Sequence, residues 1–264
     1  MFKLHIISDL FLGFNEFANP EDEILPNVDL VVVNGNIGNV KRGMLYVETM
    51  CHKYPDIPFV YNLGEWERYR DALLKYHTEL YDNIKTRSIS NSSWPKNLHF
   101  GLDPIELTLK NGDKVDILCT YGFPKIHSCN CPWEDTVWFK EYPLSVTYNP
   151  AYFIPPSADR VENCGRSQVW ATIDLINEEH EREEAIVKAW ELNITSKKIL
   201  VTHLNPFNDS RYKDIEYSPF EFHLNGGLWI AADTKVSNVQ YLGARLESNP
   251  GRGSAARNNV IIVN

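Results

Sequence analysis

Four polar turns each follow a short apolar run, and they carry residue types that bind cations or move protons: HIISDLF (5–11), LVVVNGNIG (30–38), PFVYNLGEWERY (58–69) and KILVTHLNPF (198–207). They present Asp9, Asn36, Glu65 and His203. Two carboxylates and an imidazole are ligands for a hard divalent cation. Asn36 offers a neutral carbonyl oxygen and no negative charge. An apolar strand that stops at a glycine and passes at once into a helix puts its turn at the carboxyl edge of a sheet, where open α/β folds bind ligands. If the four strands are neighbours, the four residues share one pocket.

The elements that must position them follow from the apolar pattern. Residues 2–8, 29–33 and 59–63 are near-continuous apolar runs, as in strands covered on both faces. Lys41 to Tyr54 and Trp66 to Ile89 are helical in composition; Met44, Val47 and Met50 share one face of the first. Strand–helix alternation argues for a parallel sheet. Asn97 to Phe100, Ile105 to Leu109 and Lys114 to Thr120 then read as short strands, with Asn111-Gly112 marking a tight hairpin, so an antiparallel second sheet is expected to begin here. Residues 123–165 are rich in proline and aromatic residues and read as an ordered insert, a lid or a contact surface. Gln168 to Leu192 is a helix whose apolar side holds Val169, Ile173, Ile176, Ala185, Ile186 and Ala189, with Glu178 to Glu184 as a solvated face. Strands follow at 198–202, 228–231, 237–242, 244–247 and 259–263, with a polar and aromatic loop at 207–224.

Length and charge bound the partners. A chain of 264 residues can bury a sizeable core. The net charge of −9 argues against a broad nucleic-acid or anionic-membrane surface. The opening MFKLHIISDL reads as a core strand and not as a signal peptide. No run approaches the ~18 apolar residues of a membrane span. Five cysteines (51, 119, 129, 131, 164) make no dense disulfide framework, which fits a reducing cytoplasmic setting.

The order and spacing of the turns resemble the calcineurin-like metallophosphoesterases along nearly the whole chain. That family's blocks are Asp-x-His, Gly-Asp, Gly-Asn-His-Glu/Asp, Thr-His and Gly-His-x-His. Here the same places read Asp9-Leu10-Phe11, Gly35-Asn36, Gly64-Glu65-Trp66-Glu67, Thr202-His203 and Ala232-Asp233-Thr234-Lys235. The resemblance implies a single domain over 1–264, an α/β fold with four α/β/β/α layers around two mixed sheets, and strand-end loops built for two divalent metals. It also implies that most metal positions are replaced. Phe11 stands for a histidine, Asn36 for the bridging aspartate, Glu65 for an asparagine, Trp66 for the histidine near the leaving group, and Asp233 and Lys235 for the last two histidines; Asp9 and His203 are retained.

Each replacement removes a capability. Two cations about 3.5–4 Å apart need a shared carboxylate to offset their repulsion, and Asn36 has no charge to give. Phe11 has no lone pair, and Trp66 is a donor that does not titrate near neutrality. The ammonium of Lys235 fills the place of a cation. The expectation is a catalytically inactive pseudo-phosphoesterase with no metal or cofactor, a vestigial pocket, and a protein partner bound through 123–165. A bacterial or phage source fits, with the protein in the bacterial or host cytoplasm. Two alternatives stand beside it. Asp9, Glu65, His203 and Asp233 suit one cation (Mn, Mg or Zn) in a rebuilt phosphomonoesterase or phosphodiesterase site, with Asn36 positioning a phosphate oxygen. Or Lys235 and His203 hold a nucleotide or phosphate without cleaving it.

Other residues have simpler roles open to them. His127, Cys129, Cys131 and Cys164 have zinc-ligand chemistry, but Cys-x-Cys is not the usual knuckle, and free thiols are the simpler reading. Gly251-Arg252-Gly253 with Arg257 offers a phosphate site or merely a turn. Glu67 sits in the first turn of a helix, where a negative charge is favoured, and that suffices to explain it. His5, His52, His77, His99, His180 and His223 have no partner visible in the sequence.

Overall fold

The computed structural model describes residues 1–10, 12, 27–38, 40–64, 67, 86, 94–100, 103–129, 173–192, 197–204, 215–218, 220, 222–224, 226–232, 238–248 and 259–264. The first sheet joins β1 (Phe2–Ile7), β2 (Leu30–Asn34), β3 (Phe59–Asn62), β4 (Leu98–Phe100) and β13 (Val260–Val263) in the order β13-β1-β2-β3-β4. Its neighbours run parallel except β13, which is antiparallel to β1. The second sheet has the order β11-β12-β10-β8-β6-β5, from β5 (Ile105–Thr108), β6 (Lys114–Thr120), β8 (Lys197–Thr202), β10 (Leu228–Ala231), β11 (Val239–Tyr241) and β12 (Ala244–Ser248). Its centre is parallel and its two edges are antiparallel. Both sheets are therefore mixed, and the described residues form an α/β fold built around them.

The period of two along each strand sorts the core into layers. Phe2, Leu4, Ile6, Leu30, Val32 and Val60 meet Val115, Ile117, Ile199, Val201, Leu228 and Ile230 between the sheets. The alternate residues Val31, Val33, Phe59 and Tyr61 face outward onto Met44, Val47 and Met50 of α1 (Val40–Lys53). On the far face of the second sheet, Leu118, Leu200, Trp229 and Leu246 pack with Val187 and Trp190 of α2 (Ile173–Glu191). Strands so covered must be apolar on both faces, which explains the near-continuous runs.

Three expectations need correction. Asn97 to Phe100 does not open the second sheet: β4 extends the first one, parallel to β3, and of these three strands only β5 and β6 pair antiparallel, turning at Asn111-Gly112 with Gly112 at φ 86°. The start of the insert and part of the 207–224 loop form a ribbon, β7 (Lys125–Cys129) against β9 (Ile215–Ser218). The rest of the insert and the Trp66 to Ile89 helix, apart from Glu67 and Thr86, lie outside the described residues. On α2 the buried stripe is Glu179, His180, Glu183, Val187 and Trp190, while Ala185 and Ala189 are exposed. The supposed solvated face is in part the packed one, because the Glu183 carboxylate finds backbone donors inside the fold.

Two asparagines stitch the sheets at their carboxyl ends. Asn34 Nδ2 donates to the Thr202 carbonyl at 2.8 Å. Asn62 Nδ2 donates to Asn34 Oδ1 and to the Thr120 carbonyl, both at 2.9 Å. All four residues are buried. A buried amide left unpaired is costly, so the network fixes β2 and β3 against β6 and β8 where the turns begin.

Candidate functional site

The turns after β1, β2, β3 and β8 come together. Asn36 Nδ2 donates to Asp9 Oδ1 at 3.0 Å, and Ser8 Oγ donates to Asp9 Oδ2 at 2.7 Å. A carboxylate only accepts, so the Asn36 atom facing Asp9 is its NH2 group. The Asp9 amide in turn donates to the Gly35 carbonyl at 3.0 Å. Asp9 and Asn36 hold left-handed backbones, φ 56° and 57°, and Gly35 precedes Asn36 at 73°. Asp and Asn tolerate that region better than most residues, yet two such positions meeting in one pocket mark an over-determined site.

His203 approaches from the second sheet. Its Nδ1 lies 3.1 Å from the Asn34 carbonyl. A carbonyl cannot donate, so Nδ1 carries the proton and, in the neutral ring, Nε2 carries the lone pair. The approach demands glycine on both neighbouring turns. A Cβ on Gly35 would stand 2.5 Å from His203 Nδ1, and one on Gly64 would stand 2.8 Å from both Asn36 Oδ1 and His203 Cε1. The Ala232 amide donates to the His203 carbonyl at 3.1 Å, which starts the fifth turn beside the same edge.

Asp9, Asn36 and His203 are thus brought together as their positions suggest. Phe11, Glu65, Trp66, Asp233 and Lys235 lie outside the described residues. Among the described residues, no three His, Cys, Asp or Glu side chains form a metal-ligating group. The two-metal arrangement of the resembled family fits poorly here: an amide NH2 points at Asp9 where a bridging carboxylate would be needed.

The residue that sequence reasoning undervalued is Glu67. It is 0% exposed, and its carboxylate accepts from the amides of Asn36 (3.0 Å), Ile37 (2.9 Å) and Gly64 (2.9 Å) and from the Tyr61 hydroxyl (2.7 Å). A local role at a helix start does not account for it; Glu67 ties the β2 turn to the β3 turn. Burial pushes its pKa up, while the hydrogen bonds from Tyr61 and the backbone amides and the nearby His203 pull it back. The available signal was a second carboxylate in GEWE beside two glycine turns whose amide groups needed acceptors.

His127 Nε2 lies 2.8 Å from Ser218 Oγ across the ribbon, while Cys131, Cys164, Gly251 to Gly253 and Arg257 lie outside the described residues. His180 has a partner after all, the Phe123 carbonyl at 2.7 Å from its Nδ1. No helix is long and apolar enough to cross a membrane among the described residues. No family model matches the chain, and no curated protein matches it.

Proposed function

We propose that the chain is a catalytically inactive relative of the calcineurin-like metallophosphoesterases that serves as a protein-binding or regulatory module. The observation that carries this reading is the Asn36–Asp9 contact. The position that should supply shared negative charge to two cations supplies a hydrogen-bond donor instead, and the other Asp9 oxygen accepts from Ser8. Two mixed sheets, and strand-end turns after β1, β2, β3 and β8 that follow the order of the family's first four blocks, support the kinship. Trp66 and Lys235, at positions where the family places histidines, support the loss of proton transfer and of metal affinity. The partner would be a protein held through 123–165.

The His203 tautomer favours one alternative, a single-cation phosphoesterase site on Asp9, Glu65, His203 and Asp233. A histidine whose Nδ1 hydrogen is tied to a carbonyl is oriented as metal-binding histidines are. Elemental analysis of protein purified without chelators, with an assay on a generic aryl phosphate ester, separates the two. Inactivity with substoichiometric metal is expected. Stoichiometric metal with turnover would establish the alternative.

A further inference from the structure

We propose that Glu183 is a proton-operated latch on the loop after β6, and that it sets how Tyr121 lies against His203 at the pocket edge. Glu183 lies on α2 and is 0% exposed. Its carboxylate accepts from three successive amides, Tyr121 (2.6 Å), Gly122 (2.9 Å) and Phe123 (3.0 Å). Gly122 is left-handed at φ 82°, which turns the three N–H groups toward one acceptor. The Tyr121 ring lies 5.6 Å from the His203 ring, and the Leu204 amide donates to the Tyr121 carbonyl at 2.8 Å. Whatever moves this loop moves the ring that lies against His203.

The two protonation states differ in what they can hold. The carboxylate is acceptor-only and satisfies all three amides. The carboxylic acid has lost the charge that strengthens all three bonds, and its hydroxyl oxygen is a poorer acceptor that also carries a donor, so the hold on the three amides weakens. Burial raises the pKa of Glu183 to about 8, the nearby Glu179 charge adds to the rise, and the three amides oppose it. Among the described residues, the other titratable groups around the latch lie on α2, on the loop itself, on the turn after β8 and on β7. On α2, Glu179 is 2% exposed and His180 bonds the Phe123 carbonyl. The loop contributes the Tyr121 phenol and the turn after β8 contributes His203. Lys125, on β7, is exposed. The latch is independent of whether the pocket binds metal, phosphate or nothing.

The test is an NMR titration of the full chain from about pH 5 to about pH 9.5, following the Glu183 side-chain 13Cδ and the amides of Tyr121, Gly122 and Phe123. The expected result is one shared midpoint well above the ordinary carboxylate range, with the His203 ring signals moving along. Glu183→Gln should abolish the shared transition and His180→Gln should keep it. If Glu183→Gln does not fold, the wild-type 13Cδ curve decides alone. A Glu183 midpoint in the ordinary range overturns the latch. So do loop amides that do not follow Glu183, and a transition that vanishes with His180→Gln.

Discussion

Asn36 turns the nitrogen of its amide toward Asp9, with Nδ2 at 3.0 Å from Oδ1, and both residues do so from left-handed backbones. The contact is buried and neutral on one side. It gives Asp9 a partner that needs no cation. The chemistry of the pocket turns on this pair.

Glu67→Gln tests the carboxylate that joins the two glycine turns. Glutamine keeps one acceptor oxygen and puts an NH2 among four donors, so a loss of about 1–3 kcal/mol is expected in urea unfolding. The pH dependence has a definite sign. The folded pKa of Glu67 is raised, so folded protein holds this proton more tightly than unfolded protein. Its favourable share is full below the ordinary carboxylate value and is lost as pH rises toward the folded value. The stability gap between wild type and Glu67→Gln should narrow as pH rises; a gap that widens contradicts the assignment.

Gly35 and Gly112 separate steric need from backbone need. Both have positive φ, 73° and 86°, but a Cβ on Gly35 meets His203 Nδ1 at 2.5 Å while one on Gly112 meets nothing within 4 Å. Gly112→Ala should cost only the left-handed backbone, about 1–2 kcal/mol. Gly35→Ala should cost clearly more and perturb the His203 signals. Equal losses in thermal unfolding would mean that the turns are not packed as described.

Trp190→Phe probes the charge buried under α2. Trp190 Nε1 donates to Asp116 Oδ1 at 2.7 Å, and Lys198 lies 3.6 Å from Asp116 Oδ2 and 4.2 Å from the Trp190 ring centroid. Phenylalanine keeps an apolar ring but removes the donor to a buried carboxylate, worth about 1.5–3 kcal/mol. Asp116→Asn should recover part of that loss in the phenylalanine background, and a double-mutant cycle reads the coupling.

Much of the fold could be read from the residues, and the reason is physical. Strands such as LVVVN are buried on both faces, so their apolar run is continuous and their ends fall at polar turns. The Asn111-Gly112 turn declares its hairpin because few other residues accept such backbone angles. The β7–β9 ribbon was not legible: KIHSC and IEYS are short, mixed in polarity and surrounded by proline-rich chain. Asp9, Asn36 and His203 could be placed because each follows the end of a strand. Glu67 and Glu183 could not, because charge in a helix points to solvent by default. Glu67 takes two of its amide donors from 30 and 31 residues away, and for Glu183 the nearest donor is 60 residues away.

Titrating manganese, zinc and magnesium into wild type and into Asn36→Asp, with thermal unfolding as the readout, decides whether the Asn36–Asp9 contact stands in place of a metal site. In Asn36→Asp a second carboxylate replaces the donor beside Asp9, so the metal-free variant should be less stable and cations should restore it by several degrees. Wild type should show no saturable shift. A saturable rise in wild type with two cations bound per chain, and hydrolysis of an aryl phosphate ester alongside it, would contradict the account.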